Sequence, residues 1–179
     1  MANGVFKLVK DEEIFEKLFT FGQSKGMAEQ DAFPGLLDLS SKAGEIASGV
    51  YMDLLMNYSG REHIGDVSCR MCAYGGMLAV YLMIKKPTYM KNRDLLSTLI
   101  KPRGATELDD NALNQIGIKP SSLEAKTLNR HFQEVADIAL KPMAGLNLES
   151  EYFGDQLLEC LMAMFNYGVC LEMNRLQGV

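Results

Sequence analysis

Apolar residues recur three and four positions apart along most of this chain, which is the spacing of one face of an α-helix. The clearest run begins at Leu36 and continues through Ala43, Ile46 and Val50 to Leu54. Alternation of β-branched and polar residues, the pattern of a half-buried strand, is almost absent. The pattern therefore predicts an all-α protein. Its longer helices are expected over about residues 11–30, 36–57, 62–86, 121–141 and 149 or 155 to 177.

Prolines and turn residues separate the predicted helices. Residues 87–104 are bounded by prolines and are expected to form a linker with one short helix over residues 93–100. Residues 106–118 give mixed signals, and no element is predicted there. Ser121 and Glu124 match a capping box, which predicts the start of the next helix. We expect the 179 residues to form a single domain with two halves.

Two long stretches, residues 71–84 and 160–171, carry no charged residue. A helix that is apolar on all sides is normally buried, so both are predicted to form the centre of a helical bundle. The first contains 14 residues, whereas a helix that spans a bilayer needs about 20. We therefore expect no membrane-spanning segment.

The second half of the chain repeats features of the first in the same order. Residues 45–47 read Glu-Ile-Ala and residues 137–139 read Asp-Ile-Ala. Residues 62–66 and 151–155 both read Glu-x-x-Gly-Asp at the start of a nearly uncharged helix. This order predicts two repeated antiparallel hairpins that form a four-helix core, with acids on facing helices. The repeats are expected over about residues 36–86 and 121–177.

The charge composition argues against some classes of binding partner. The chain has 23 acidic and 18 basic residues and a net charge of −5. Binding to a phosphate backbone depends on concentrated lysine and arginine, so broad nucleic-acid binding is not expected. The first ten residues contain no apolar run of signal-peptide length, and the four cysteines are expected to remain thiols. We therefore expect a cytoplasmic protein that binds neither nucleic acid nor membrane.

Two segments carry a resemblance to a known family. Residues 43–47, Ala-Gly-Glu-Ile-Ala, are followed by Gly65-Asp66-Val67 at the start of an apolar helix. Together they resemble the MazG-like, all-α nucleoside triphosphate pyrophosphohydrolase superfamily, over about residues 36–84 and less closely over 121–172. In that family Glu-x-x-Glu on one helix and Glu-x-x-Asp on the next bind magnesium, which holds the triphosphate while water attacks the α–β linkage. The resemblance implies magnesium-dependent pyrophosphohydrolase activity, a nucleotide or other phosphorylated ligand, and a homodimer.

The resemblance also implies which acids hold the metal. Glu134, Asp137 and Asp155 are the implied magnesium ligands of the second hairpin, and Glu45 and Asp66 are the corresponding acids of the first. Magnesium prefers hard oxygen ligands, and acids three positions apart on a helix share one face. Three positions of the family pattern are occupied here by other residue types: Lys42, His63 and Tyr152.

The same acids also have an ordinary structural interpretation. Lys42 and Glu45 can form an ion pair between positions i and i+3, which is worth a few tenths of a kcal/mol. Asp66 and Asp155 can cap a helix or interact favourably with its dipole. The rival hypothesis is therefore a non-catalytic helical-bundle interaction protein that uses the acids for capping and ion pairs.

Cysteines and histidines give weaker signals. Cys69 and Cys72 form a lone Cys-x-x-Cys motif inside a predicted helix, without a second pair at zinc-like spacing. Buried thiols are favoured there over a metal or redox site. His63 and His131 are expected at the surface or at helix caps. The basic residues of the linker are interpreted as a solvated connector, and phosphate contact is the open alternative.

Overall fold

The described part of the chain consists of helices, turns and short extended segments. A computed structural model describes residues 5–29, 40–57, 64–86, 88, 95–99 and 108–177. None of these residues lies in a strand, so the predicted all-α class is confirmed for them. The helices are α1 (Asp11–Ser24), α2 (Ser40–Asn57), α3 (Ile64–Lys85), α4 (Leu95–Leu99), α5 (Leu108–Gln115), α6 (Leu123–Ala139) and α7 (Phe153–Gln177).

Helices α3 and α7 form the centre of the bundle. Every residue from Met71 to Val80 of α3 is buried, as are most residues from Cys160 to Met173 of α7. The prediction that the two uncharged stretches form the core is confirmed. By length and composition α3 is also apolar enough to cross a membrane, but 78% of the relevant window is buried within the protein. Such burial is typical of a core helix.

Glycines allow α3 and α7 to approach until their backbones touch. A Cβ atom at Gly76 would overlap the carbonyl oxygen of Phe165, and one at Gly168 would overlap the carbonyl oxygen of Ala73. Backbone atoms cannot rotate away as a side chain can. Any larger residue at these two positions would therefore force the central helices apart.

The two central helices run parallel. The Cys69 and Cys160 thiols are close enough to interact near the beginning of both helices, and Gly76 meets Phe165 further along. Close to the C-terminal ends, Tyr81 interacts with Arg175. Because the contacts advance in the same direction along both helices, the N-termini of α3 and α7 lie at the same end of the bundle.

Helix α6 is antiparallel to this central pair. The Tyr74 hydroxyl of α3 donates a hydrogen bond to the Asn129 side-chain oxygen of α6, whereas Gly65 lies against Leu140 just after α6. Positions therefore rise on one helix as they fall on the other. The C-terminal end of α6 accordingly lies beside the N-terminal end of α3.

Helix α2 is also antiparallel to α3. Ile46 packs against Gly75. If the two helices were parallel, the chain from Asn57 to Ile64 would have to cover about 33 Å at 1.5 Å per residue. Seven residue steps reach about 25 Å at most. The short connection therefore excludes the parallel arrangement.

The structure corrects the predicted start of α6. Ser122, not Ser121, is the N-cap, and its Oγ accepts a hydrogen bond from the Ala125 N–H at 3.1 Å. The predicted capping box of Ser121 and Glu124 is therefore wrong, because the residue three positions after the true cap is Ala125. Helix α5 was not predicted at all. Helix α1 ends at Ser24 instead of near residue 30, ahead of Gly26 with a φ of 69°.

Part of the predicted organisation lies outside the described residues. The ranges that are not described include 36–39 and 58–63 of the first predicted repeat and most of the predicted linker over 87–104. The short helix expected within the linker is α4.

Candidate functional site

All five acids implied as metal ligands are exposed. Glu45 lies in α2, Asp66 in the first turn of α3 and Asp155 in the first turn of α7, while Glu134 and Asp137 lie in the second half of α6. Exposed carboxylates keep their hydration and remain free to meet a ligand from solvent.

Three of the acids lie at one end of the bundle. Asp66 and Asp155 share that end because α3 and α7 are parallel and both acids are in the first turn. Leu140 is level with Gly65, so Asp137 lies about 3 Å along the axis from the level of Asp66. We call this end, with Asp66, Asp137 and Asp155, the acidic end.

The acids of the two predicted hairpins have different registers. Because Ile46 meets Gly75, Glu45 is level with Gly76 and about 15 Å along α3 from Asp66. In the other pair, His131 meets Tyr167, which places Asp137 about 9 Å along the axis from Asp155. Glu45 thus stands apart from the acidic end.

Helix N-termini add partial positive charge at the acidic end. The first N–H groups of a helix have no intrahelical acceptor, and together with the helix dipole they favour anions. Helices α3 and α7, with 22 and 25 residues, are the two longest described. Their parallel packing directs both N-termini towards the same end.

The carboxylates at the acidic end are of the ligand type that magnesium prefers, although they do not surround a metal position on their own. Carboxylate oxygens are ligands that magnesium prefers, and the ion commonly uses one or two of them together with water and phosphate oxygens. Within the described residues, no three histidine, cysteine, aspartate or glutamate side chains are grouped so that they would hold a metal ion. Any magnesium bound here would therefore depend on water and ligand oxygens.

The cysteines are buried inside the core. None of the four cysteines, all within the described residues, forms a disulfide, and each is fully buried: Cys69, Cys72, Cys160 and Cys170. Burial raises the pKa of Cys69 and Cys72 and raises that of Cys160 to about 12. Reactive cysteines need a lowered pKa and access to solvent. The interpretation of Cys69 and Cys72 as buried thiols is confirmed.

His131 is not at the surface, so that prediction is wrong. Its ring is 4% exposed, lies 2.5 Å from the Tyr167 hydroxyl through Nε2, and stacks on Phe21. Burial lowers its pKa, Glu134 counteracts this and Lys25 adds to it. The spacing contained a signal, because His131 follows Leu128 by three positions and precedes Val135 by four on the apolar face of α6.

Two partly buried ion pairs have no counterpart among the sequence predictions. Arg70 of α3 donates to Asp109 of α5 at 2.9 Å, and Arg175 of α7 donates two hydrogen bonds to Glu172, which is completely buried. A single sequence shows no signal for the first pair, since 39 positions separate its members. The second has the i, i+3 spacing of a helical ion pair.

Comparisons of this chain with protein-family models, curated proteins and solved structures give no match.

Proposed function

We propose that this chain is a MazG-like helical bundle that binds a nucleoside triphosphate, together with magnesium, at the acidic end. The observation that supports this function best is the parallel packing of α3 and α7. It gives one end of the molecule two helix N-termini and two first-turn carboxylates, Asp66 and Asp155, with Asp137 on the neighbouring helix.

The two kinds of group at this end suit the two parts of such a ligand. Free N–H groups at a helix N-terminus bind phosphate oxygens, whereas carboxylates bind the magnesium that the phosphates carry. In the reaction that the resemblance implies, water adds to the α-phosphorus and the α–β bond breaks, which gives a nucleoside monophosphate and pyrophosphate. Magnesium would neutralise phosphate charge and activate that water.

We also propose that the bundle arose from two hairpins, α2–α3 and α6–α7. Both pairs are antiparallel, and in each the second helix carries an aspartate in its first turn. Glu134 and Asp137 belong to the more complete copy, and Glu45 belongs to the reduced one. A homodimer would bring a second acidic end into the assembly, as the resemblance implies.

A calorimetric titration tests the proposed site. Magnesium is titrated into the metal-free protein, with and without a non-hydrolysable nucleoside triphosphate. We expect saturable binding that is tighter when the nucleotide is present. The double variant Asp137→Asn/Asp155→Asn should lose at least tenfold in affinity, because two ligand carboxylates become neutral amides. The matched control Glu29→Gln/Glu124→Gln removes two exposed charges at the opposite end of the bundle, where Glu124 lies beside Arg175, and should bind as the wild type does.

Two results would decide against the proposal. One is the absence of saturable binding of magnesium or nucleotide by the wild-type protein. The other is equal binding by the acidic-end variant and its control, which would place the ligand elsewhere. The first result would favour the rival, a non-catalytic interaction protein. Binding that the variant removes would justify an assay for pyrophosphate release, with Glu134→Gln and Glu45→Gln as further variants.

A further inference from the structure

A groove of about 590 Å³ lies at the opposite end of the bundle. Its walls come from the segment after α1, the start of α6 and the last turns of α7, and Met77 of α3 contributes to the groove from the core. Leu171 follows Asp155 by sixteen residues in α7, a distance of about 24 Å along the helix. The groove is therefore separate from the acidic end. Its volume falls within the range of ordinary small-molecule sites, about 300–1,000 Å³.

The groove has a largely apolar lining. Met77, Leu128 and Leu171 contribute to it and are almost fully buried, while Met27 lies at the core boundary. Leu123, at the start of α6, is 80% exposed. Methionine side chains adapt to the shape of what they contact. This lining would favour the apolar body of a small molecule.

The charged residue that first suggests an anion site is already neutralised. Arg175 Nε donates to Glu172 at 2.9 Å, and Nη2 donates to the other oxygen of Glu172 at 2.7 Å. Nη2 also donates to the Ile116 carbonyl oxygen at 3.0 Å. Because Glu172 is completely buried, this bidentate pair is a fixed part of the protein. An incoming phosphate or carboxylate would therefore meet little uncompensated positive charge.

The excess charge at the groove is negative. Glu124 and Glu29 both line it and are exposed, and the contact between Glu124 and Arg175 Nη1 is long, at 3.8 Å. Lys85 acts electrostatically on the buried Glu172, is itself exposed and does not line the groove. Two carboxylates beside an apolar lining complement a cation that carries an apolar body.

We propose that this groove binds an organic cation, with an ammonium group beside Glu124 and Glu29 and an apolar body against Met27, Met77 and Leu128. The site does not depend on the proposed nucleotide function. A nucleotide is the wrong ligand for it, because its phosphates would face two carboxylates.

A pair of probes with the same body and opposite charge tests the proposal. 4-Phenylbutylammonium and 4-phenylbutyrate are titrated separately into the full-length protein, and binding is followed by calorimetry and by the NMR signals of labelled methionine methyl groups. We expect the cation to bind about tenfold more tightly than the anion, since each exposed ion pair contributes a few-fold. The methyl signals of Met27 and Met77 should shift, and that of Met52, an exposed residue in α2, should not.

Two variants and their controls locate the bound probe. Thr127→Trp places a large ring in the groove from an exposed position and should abolish binding of the cation. Its control, Lys126→Trp, changes the neighbouring exposed position, which does not line the groove. Glu124→Gln should weaken binding about threefold. Its control is Glu149→Gln, in the loop before α7. Thermal unfolding of each variant establishes that it is folded.

Three outcomes would overturn the proposal. The first is equal or tighter binding of 4-phenylbutyrate, and the second is no saturable binding of the cation at millimolar concentration. The third is binding that Thr127→Trp leaves intact. If neither probe binds but a basic amphipathic peptide does, the groove is a protein-docking surface and the small-molecule proposal is wrong. All of these results are independent of magnesium and nucleotide binding at the acidic end.

Discussion

His131 brings together three helices through one ring. Phe21 of α1 stacks on it with 5.8 Å between the ring centroids, and Tyr167 of α7 is its hydrogen-bond partner. Gly22 leaves room for the Tyr167 hydroxyl, which a Cβ atom at that position would overlap. A neutral imidazole can satisfy this contact, whereas a buried imidazolium loses hydration that the site does not replace.

Acid should therefore weaken the fold through His131. The pKa of His131 is lower in the folded protein than the value of about 6.5 expected in the unfolded chain. At a pH between these two values, the unfolded chain therefore binds more protons than the folded protein. The stabilisation is complete above about pH 6.5 and is lost as the pH falls below it, by at most about 1.4 kcal/mol per pH unit for one proton. Urea unfolding between pH 7.5 and 5 measures this dependence.

The variant His131→Gln isolates the contribution. Glutamine can still accept a hydrogen bond from Tyr167 but does not titrate. The difference in unfolding free energy between wild type and variant, taken at each pH, therefore cancels the contributions of other titrating groups. One of these groups is Glu172. Burial raises its pKa in the folded protein, so its contribution to stability increases as the pH falls. A wild-type protein that loses no more stability than His131→Gln over this range would contradict the prediction.

At the scale of elements, the start of α6 provides a direct test of capping. Ser122→Ala removes the side-chain oxygen that accepts from the Ala125 N–H and should cost about 1 kcal/mol of unfolding free energy. Ser121→Ala is the matched control, one residue earlier, exposed and without a capping role, and should change stability by less than about 0.5 kcal/mol. Denaturant unfolding of both variants measures the difference. If Ser121→Ala lost as much unfolding free energy as Ser122→Ala or more, the result would support Ser121 as the capping residue.

The long helices were predictable because each has a clear repeating pattern. In α6 the buried residues Leu128, Phe132, Val135 and Ala139 recur three and four positions apart, and in α3 charge is absent over several turns. Helix α5 was missed because it has eight residues and its first turn contains Asp109 and Asp110. Such a short helix depends on tertiary packing more than on its own sequence.

The candidate site was predictable in its residues but not in its arrangement. The first-turn positions of Asp66 and Asp155 follow from the Gly-Asp pairs that begin the apolar stretches. Their placement at the same end depends on the parallel direction of α3 and α7, whose backbones touch at Gly76 and Gly168. Sequence spacing within each half predicts which helices are neighbours. It contains no information about how α3 of the first half lies along α7 of the second.

At the scale of the whole molecule, the N-terminal segment is held by the beginning of the last helix. The buried Gln156 side chain accepts from the Val9 N–H at 2.9 Å and donates to the Val9 carbonyl oxygen at 3.0 Å. The Asp11 N–H donates to Glu159 at 2.7 Å, and Phe6 stacks on Tyr152. These contacts join positions about 147 residues apart, so they form only when the bundle is assembled.

Gln156→Leu should therefore loosen α1 more than the centre. Leucine keeps the volume but leaves both polar groups of Val9 without a partner, which should cost about 2 kcal/mol. Amide exchange should speed up most in residues 9–24, while α3 should change only by the loss of global stability. Gln133→Leu, at an exposed position of α6, is the control and should stay within about 0.5 kcal/mol of the wild type. If exchange instead accelerates equally in α1 and α3, the segment is not a separate unit, and Gln156 stabilises the entire bundle through one cooperative transition.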